Sequence, residues 1–516
     1  MKKTLLFTIA IAIGCCIFFL SKINHTHTTA KTGLKVFDFP SRIYTGQAES
    51  IKLAHYITGC IYLNKAEFDK AILHYEQALK YVPSEAFEPV SLRLAAGYFY
   101  KGDKAKAFEI IETVVEKNPD SKDAHSLLAF LYTSENQLDK AEKEYRKVIE
   151  LSPTDVSANI LGSLADLYVF QNKPQEALEV YNQLIEKFPE NRQLYVNKAI
   201  ILANIKSIDS AIKEAKKVID ADEKNEEGYA LLGILYEMND QLPEASEAYK
   251  KALEIEPADL LVYQRLAGVY VLLKRFDDAV NQCNILIKLD PYNAKNYLDL
   301  ALVYFFKKDF DKALNTITTA LVAGLYDQRL YFARGFLYFF CKQDYNLAID
   351  SFTESLKIKP DNKEAYFYLA VIYDKIGNTE KVYENLKKAI YYAPDMAKAY
   401  NYLSYRYAEA GINLDEALEM AKKAIELEPD NAAFLDTIGW VFYKRGELPE
   451  AKKFLEEAVL LENDPVINEH LGDVYNSLGM FKEALKYWEI SVSLNKENKS
   501  LIDKIEQLKN STNSNN

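Results

Sequence analysis

The sequence predicts an all-α protein built from one helical hairpin repeated about thirteen times, and three observations carry that reading. A small residue recurs at Gly59, Ala95, Ala129, Ala165, Ala199, Gly233, Ala267, Ala301, Gly335, Ala370, Ser404, Gly439 and Gly472, with seven of the twelve spacings equal to 34 and the rest between 33 and 36. Three places further on stands Tyr in eleven cases, Leu202 and Phe442 being the departures. Only 18 Gly and 15 Pro in 516 residues leave too few turn signals for a many-stranded β protein.

The rest of the composition narrows the function. Hydrophobic residues make up 49% and charged residues 27%, and 37 Tyr with 26 Phe are far more than a disordered chain carries. Lys plus Arg total 63 against 75 Asp plus Glu, a net charge of −12, so no basic face is available for a phosphate backbone and no nucleic acid partner is expected. The five cysteines, Cys15, Cys16, Cys60, Cys283 and Cys341, show no metal-type spacing, so neither a metal site nor a disulfide framework is indicated, and no cofactor is called for.

The N-terminus reads as an address. Lys2 and Lys3 precede an uncharged run from Thr4 to Leu20, followed by a polar stretch, which is the layout of a signal peptide or membrane anchor over residues 1–21. As a helix that run reaches about 25 Å, at the short limit for a bilayer core of roughly 30 Å. Three outcomes stay open: an uncleaved anchor, a lipoprotein signal with acylation at Cys15 after Ala12-Ile13-Gly14, or cleavage after Ala30. All three put the remainder in an extracytoplasmic, periplasmic setting in a bacterial envelope. Two leave it tethered and the third gives a cleaved, secreted or periplasmic protein. Residues 22–51 follow as a linker.

Each hairpin has two antiparallel helices, A and B. Twelve residues after the small position stands Ala at Ala71, Ala107, Ala141, Ala177, Ala211, Ala245, Ala279, Ala313, Ala451 and Ala484, displaced by one at Ala348 and Ala417 and replaced by Val382. Nine hairpins end in Pro, at Pro83, Pro119, Pro153, Pro189, Pro257, Pro291, Pro360, Pro394 and Pro429, which stops helix B because proline has no amide donor. In the sixth, Tyr229, Leu232, Gly233 and Tyr236 form one buried stripe on helix A, and Gly233 with Ala245 lets the two backbones approach. This 34-residue pattern resembles the tetratricopeptide repeat over residues 52–498, with repeats starting near 52, 88, 122, 158, 192, 226, 260, 294, 328, 363, 397, 432 and 465. The resemblance implies an α-solenoid, a right-handed superhelix. Arg334 in place of Leu, Leu202 and Ala215 in place of aromatics, and the missing Trp at position 4 depart from it. Leu501, Ile505 and Leu508 share one helical face, so residues 499–510 read as a cap over the last apolar edge, before a disordered tail at 511–516.

Because the repeats occupy 52–498, no separate catalytic domain is expected. The six histidines form no HExxH pattern, and Walker and GxSxG motifs are absent. His470, beside Glu469 and near Asp473, reads as an exposed helix-A residue. The resemblance implies a non-enzymatic scaffold or adaptor that takes a protein or peptide partner in the concave groove lined by helix A. The alternative is a structural subunit of an envelope assembly or secretion complex.

Positions 4, 7, 8 and 11 of helix A pack inside the repeat, so positions 2, 5, 9, 12 and 13 turn toward the groove. In repeats eight to ten these carry Phe305, Phe306, Phe332, Phe336, Phe339, Phe340 and Phe367 with Leu298, Leu302 and Val371, whereas the sixth has Glu227, Ala230, Ile234, Glu237 and Met238. The enrichment therefore reads as local and marks a partner site. About half of these phenylalanines are expected to bury against the next repeat, Phe306 and Phe340 more readily than Phe332 and Phe336. Asn401, Tyr405, Asp436 and Trp440 are secondary groove candidates, read chiefly as a solvated acidic face with Glu469 and Asp473. The family's carboxylate-binding pair, Lys at position 5 and Asn at position 9, occurs in no repeat. The stretch from Asn401 to Trp488 resembles the C-terminal part of long-array bacterial envelope proteins, which include lipoprotein adaptors of processing proteases.

Overall fold

The computed structural model describes residues 47–80, 87–152 and 157–513. The expected signal or anchor, most of the linker and the lipidation candidate Cys15 lie outside the described residues. Among those described, regular structure consists of twenty-seven α-helices, the first Gln47–Asn64 and the last Lys499–Asn513, and one π-helical turn, Tyr338–Lys342. In chain order the first twenty-six form thirteen A–B pairs, twelve of them packed as hairpins within one body, and the last is unpaired. The chain forms two compact bodies that divide between Arg275 and Phe276, between the two helices of the seventh hairpin.

Short signals fix the helix ends. Pro119, Pro189, Pro257, Pro291, Pro360 and Pro429 stand just beyond a helix B, and two residues later Ser121, Asn191, Asp259, Asn293, Asn362 and Asn431 cap the next helix A by accepting a backbone N–H bond. One four-residue loop thus stops one helix and starts another. The A–B turn is equally uniform. A residue with positive φ sits there in every hairpin, glycine at Gly102, Gly377, Gly411, Gly446 and Gly479 but another residue at Ala66, Asn136, Asn172, Lys206, Asp240, Lys274, Lys308 and Gln343. The following N–H then reaches back to the tyrosine carbonyl of helix A, as from Gln241 to Tyr236 at 2.8 Å and Arg275 to Tyr270 at 2.7 Å, closing a Schellman-type end.

The small position on helix A makes room for a large side chain from helix B. A Cβ built on Gly233 would stand 2.4 Å from the Tyr249 ring, one on Gly59 2.6 Å from Tyr75, one on Gly439 2.6 Å from Leu455 and one on Gly472 2.2 Å from Trp488. Tyr75, Tyr249 and Trp488 are almost completely buried. Gly233 is thus also the floor under Tyr249, and at the equivalent Gly439 the backbone carbonyl of Ala451 lies 3.3 Å from the built Cβ. Where the small residue is alanine the helix-B residue at the same register varies widely in size, from Tyr145 and Tyr181 to Ile111, Ile317 and Ala215, all of them buried. Arg334, the departure from Leu, donates to Ser351 Oγ at 3.0 Å and lies 5.1 Å over the Tyr331 ring.

Successive turns are linked by exposed polar pairs in one register. The residue ending helix A of one hairpin meets the first turn of helix B in the hairpin before, in Lys101–Asp69, Lys307–Asp277, Lys342–Asp311 and Arg445–Asp415, with Gln171–Asp139 and Asn239–Asp209 as hydrogen-bonded equivalents. Exposed pairs of this kind contribute about 0–1 kcal/mol each, so they set register more than stability. At the C-terminus Leu501 and Ile505 bury against Trp488, while Lys504 reaches Asp473 at 3.1 Å and Asn498 donates to Glu469 at 2.8 Å. That helix covers the last hairpin and runs through Asn513, beyond the expected end at 510.

Two substitutions test this packing. Gly472→Ala puts a methyl group into Trp488 and is expected to cost about 1–3 kcal/mol. Urea titration followed by tryptophan emission reads it directly, because Trp440 and Trp488 are the chain's two tryptophans. Lys206→Gly, at φ 62° in an A–B turn, is expected to gain up to about 1 kcal/mol in a circular dichroism melt, because glycine alone adopts that conformation without strain.

Candidate functional site

In the C-terminal body an aromatic row crosses helix A of four successive hairpins: Ala294–Phe306, Gln328–Leu337 with its π-turn, Lys363–Lys375 and Ala397–Ala410. Ring centroids lie 6.1 Å apart for Phe305 and Phe336, 4.4 Å for Phe336 and Phe340, and 5.7 Å for Phe340 and Tyr368, which meet edge-on. Phe367 continues the row, 5.9 Å from Tyr368 and 6.1 Å from Tyr402. Such pairs contribute about 0.5–1.5 kcal/mol each beyond their buried area, so the row is partly held by its own rings. Beside it, a cleft of about 440 Å³ has Arg329, Phe332, Lys363, Glu364 and Tyr392 in its walls.

The expected exposures are partly reversed. Phe340 is 45% exposed, the most open of the set. Phe305, Phe306, Phe332, Phe336 and Phe367 are half-buried, and Phe332 packs 5.3 Å from the fully buried Phe352. Phe339 is core: it is 7% exposed, in one cluster with Ala348, Phe352 and Leu369. The cause is the π-turn, which changes the helical register between Leu337 and Gln343. Tyr368, absent from the expected groove positions, is the hub of the row, and burial raises its pKa. Nor is apolar exposure confined to these repeats. In the N-terminal body Tyr100, Phe130, Phe170, Met238 and Leu272 are exposed on helix A, Phe170 at 71%.

The secondary candidates form a buried network, which corrects the expected solvated face. Asp436 and Trp440 are each 6% exposed, as is His470, which was expected to be exposed. His470 Nδ1 stands 2.8 Å from Asp436, and its ring stacks 3.9 Å from Trp440. Trp440 donates to Glu409 at 2.6 Å and stacks on Tyr443 at 4.8 Å. Asp374 accepts from the Tyr402 hydroxyl at 2.6 Å and pairs with Arg406 at 3.1 Å. Burial foremost, with Glu409 and Asp436 nearby, pushes Tyr405 up to about 12. Asn401 is half-buried, and its shielded Oδ1 lacks a hydrogen-bond partner. Sequence reading missed this network because its acids and rings lie one repeat apart and pair only once the hairpins stack.

Among the described residues, no three His, Cys, Asp or Glu side chains stand together as a metal site. His55 and His74 do meet, Nδ1 to Nδ1 at 2.9 Å, but with ring centroids 5.2 Å apart the two nitrogens aim at each other, as in a hydrogen bond, and not at a common ion. No helix among those residues is long and apolar enough to cross a membrane.

Stacked A–B hairpins of this length, with a small residue under a helix-B ring, define a helical repeat protein. Residues 54–84, 90–121, 121–190, 163–226, 226–259 and 363–396 match family models described as tetratricopeptide repeat. The chain is a tetratricopeptide-repeat protein. It is 31% identical over 126 residues to a TPR repeat-containing protein of Pseudomonas aeruginosa, covering 24% of this chain and 21% of that one. It is 25% identical over 159 residues to the type IV pilus assembly protein PilF of the same organism, covering 30% and 61%. The small glutamine-rich tetratricopeptide repeat-containing protein 2 of Saccharomyces cerevisiae is 31% identical over 121 residues, covering 23% and 32%. The chain thus spans between 21% and 61% of the length of these relatives. Among solved structures, the APC/C hetero-tetramer Cut9–Hcn1 aligns over 89% of this chain and 96% of its own, with a TM-score of 0.39 and 15% identity. Yeast Tom70 aligns over 90% and 97%, with a TM-score of 0.35 and 18% identity.

The His470 network carries a pH dependence. Burial by itself lowers the histidine pKa, but Asp436, through charge and hydrogen bond, with Asp473 and Glu409, brings the net shift above the ordinary value. A raised folded-state pKa stabilises fully below the unfolded value of about 6.5 and is lost as pH rises through the folded one, with a slope of at most about 1.4 kcal/mol per pH unit. The urea midpoint read by tryptophan emission is therefore expected to fall as pH rises above about 6.5, and to fall less in His470→Gln.

Proposed function

We propose that this protein is a non-enzymatic adaptor that holds a protein or peptide partner on the helix-A face of repeats eight to eleven. In the same reading its N-terminal apolar segment tethers it to a membrane on the extracytoplasmic side of a bacterial envelope. The tetratricopeptide array supports a scaffold role, and the single observation that carries the site is the aromatic row with the exposed ring of Phe340 within it. Aromatic side chains that offer area at low entropic cost are the usual anchors of protein interfaces. A second reading, a structural subunit of an envelope assembly, is favoured by the likeness to a pilus assembly protein. Mass measurement of the purified soluble protein separates the two, since a lone monomer supports the adaptor and a stable oligomer the subunit.

Phe332 packs its ring on the buried Phe352, so the test is placed at Phe306 and at the exposed Phe340. Replacing Phe306 and Phe340 together by Glu is expected to leave the circular dichroism spectrum unchanged and to lower stability by about 1–3 kcal/mol through the ring pairs removed, which urea titration reads. The same change is expected to remove the partner recovered by crosslinking in intact cells. Unchanged recovery rejects this face as the site.

A further inference from the structure

Two of the thirteen hairpins carry one extra residue, seen in the displaced alanines Ala348 and Ala417, and they absorb it differently. In twelve hairpins the first left-handed residue of the A–B turn stands seven places after the small residue, as with Gly233 and Asp240 or Ala301 and Lys308. The eleventh keeps that spacing at Gly411 and puts its extra residue in the loop, where Asn413 also takes positive φ. The ninth does not. Its left-handed residue, Gln343, comes eight places after Gly335, and the extra residue sits within helix A as the π-turn Tyr338–Lys342. A loop insertion leaves the helical hydrogen bonds intact, whereas a π-turn gives up regular ones, and such turns concentrate at functional positions. This one turns Phe339 into the core and leaves Phe340 standing out over Phe336 and Tyr368.

The charge around the row has one dominant sign. Asp277, Asp311 and Asp374 are neutralised by Lys307, Lys342 and Arg406. Lys308 and Lys375, at the turn ends of the flanking helices, and Lys363 and Lys398, at the opposite ends, make no ion pair among the described residues, and Lys398 lies 4.6 Å over the Phe367 ring. Glu364 and Asp361, both in the cleft wall, are acidic residues likewise without an ion pair among the described residues, against the four lysines and Lys359. The uncompensated charge beside the rings is therefore positive, in a chain whose net charge is −12.

We infer that the π-turn of the ninth repeat is the specificity element of the groove, presenting Phe340 to a partner segment that carries apolar or aromatic side chains flanked by carboxylates. The inference rests on the proposed use of this face and adds the chemistry of the occupant. An internal acidic and apolar segment satisfies both rims and the ring row, and needs no terminal carboxylate.

The test uses the full chain and three fluorescein-labelled twelve-residue peptides: one with Phe and Leu among Glu and Asp, one with its acids changed to Lys, and one with its apolar residues changed to Ser. Only the acidic, apolar peptide is expected to bind with a dissociation constant below about 100 μM. Deletion of Cys341 restores the regular spacing without removing an aromatic ring, and with Phe340→Ser as an independent point variant it is expected to weaken that binding about tenfold or more. Lys308→Glu with Lys375→Glu is expected to do the same and to steepen the loss with added salt less. Equal binding of the lysine peptide, no binding of the acidic one, or full binding by both the deletion and Phe340→Ser overturns the inference. The Phe306→Glu, Phe340→Glu double variant separates the two levels: partner recovery lost there while the deletion and lysine variants bind normally leaves the groove reading standing and removes this one, and recovery retained there removes the groove reading itself.

Discussion

The structure depends on one steric relation repeated along the chain, a residue with little or no side chain on helix A facing the ring or branched side chain that helix B drives into it. Gly233 under Tyr249 and Gly472 under Trp488 are its tightest instances. A packed interior tolerates neither void nor overlap, so the helix-B side chain at this register is buried whether it is Tyr249 over glycine or Tyr181 and Ile317 facing alanine. With that distance set, the tyrosine three residues on falls where its carbonyl can receive the N–H that closes the A–B turn. The period read from the sequence is thus the period of a lock between two helices, and the exposed pairs between successive turns only keep neighbouring hairpins in step.

Much of this was legible in the residues, because the lock leaves a compositional trace at fixed spacing. The helix pairs, the alanines of helix B, the proline stops and the covering helix at the end all carry such traces. The turns did not. Eight of the thirteen left-handed positions hold residues such as Lys206 or Gln343, which bear no glycine signature, so the conformation is imposed by the helices on either side. The one-residue displacement at Ala348 was visible, but sequence offers no way to tell a longer loop from a π-turn, since the two differ in hydrogen bonding and not in count.

The candidate site was legible in composition and not in orientation. Seven phenylalanines pointed to the hairpins that carry the aromatic row, yet the register change after Leu337 buried Phe339 and exposed Phe340, and Tyr368, outside the groove positions, joined the rings together. Toward the C-terminus the error had another origin. Asp436, Trp440 and His470 look like a polar surface when read one helix at a time, but each finds its partner one repeat away, and stacking takes them out of water. Positions that face a groove in a single hairpin are interface positions between hairpins when the side chains are large.

The measurement that bears most directly on the central claim is site-specific photocrosslinking from single positions of the full chain in cells. A photoreactive phenylalanine analogue at Phe340, on the helix-A face, is compared with one at Leu460, which is 85% exposed near the end of a helix B. The account predicts a discrete adduct from Phe340 and none from Leu460. Adducts from Leu460 with none from Phe340 would contradict it.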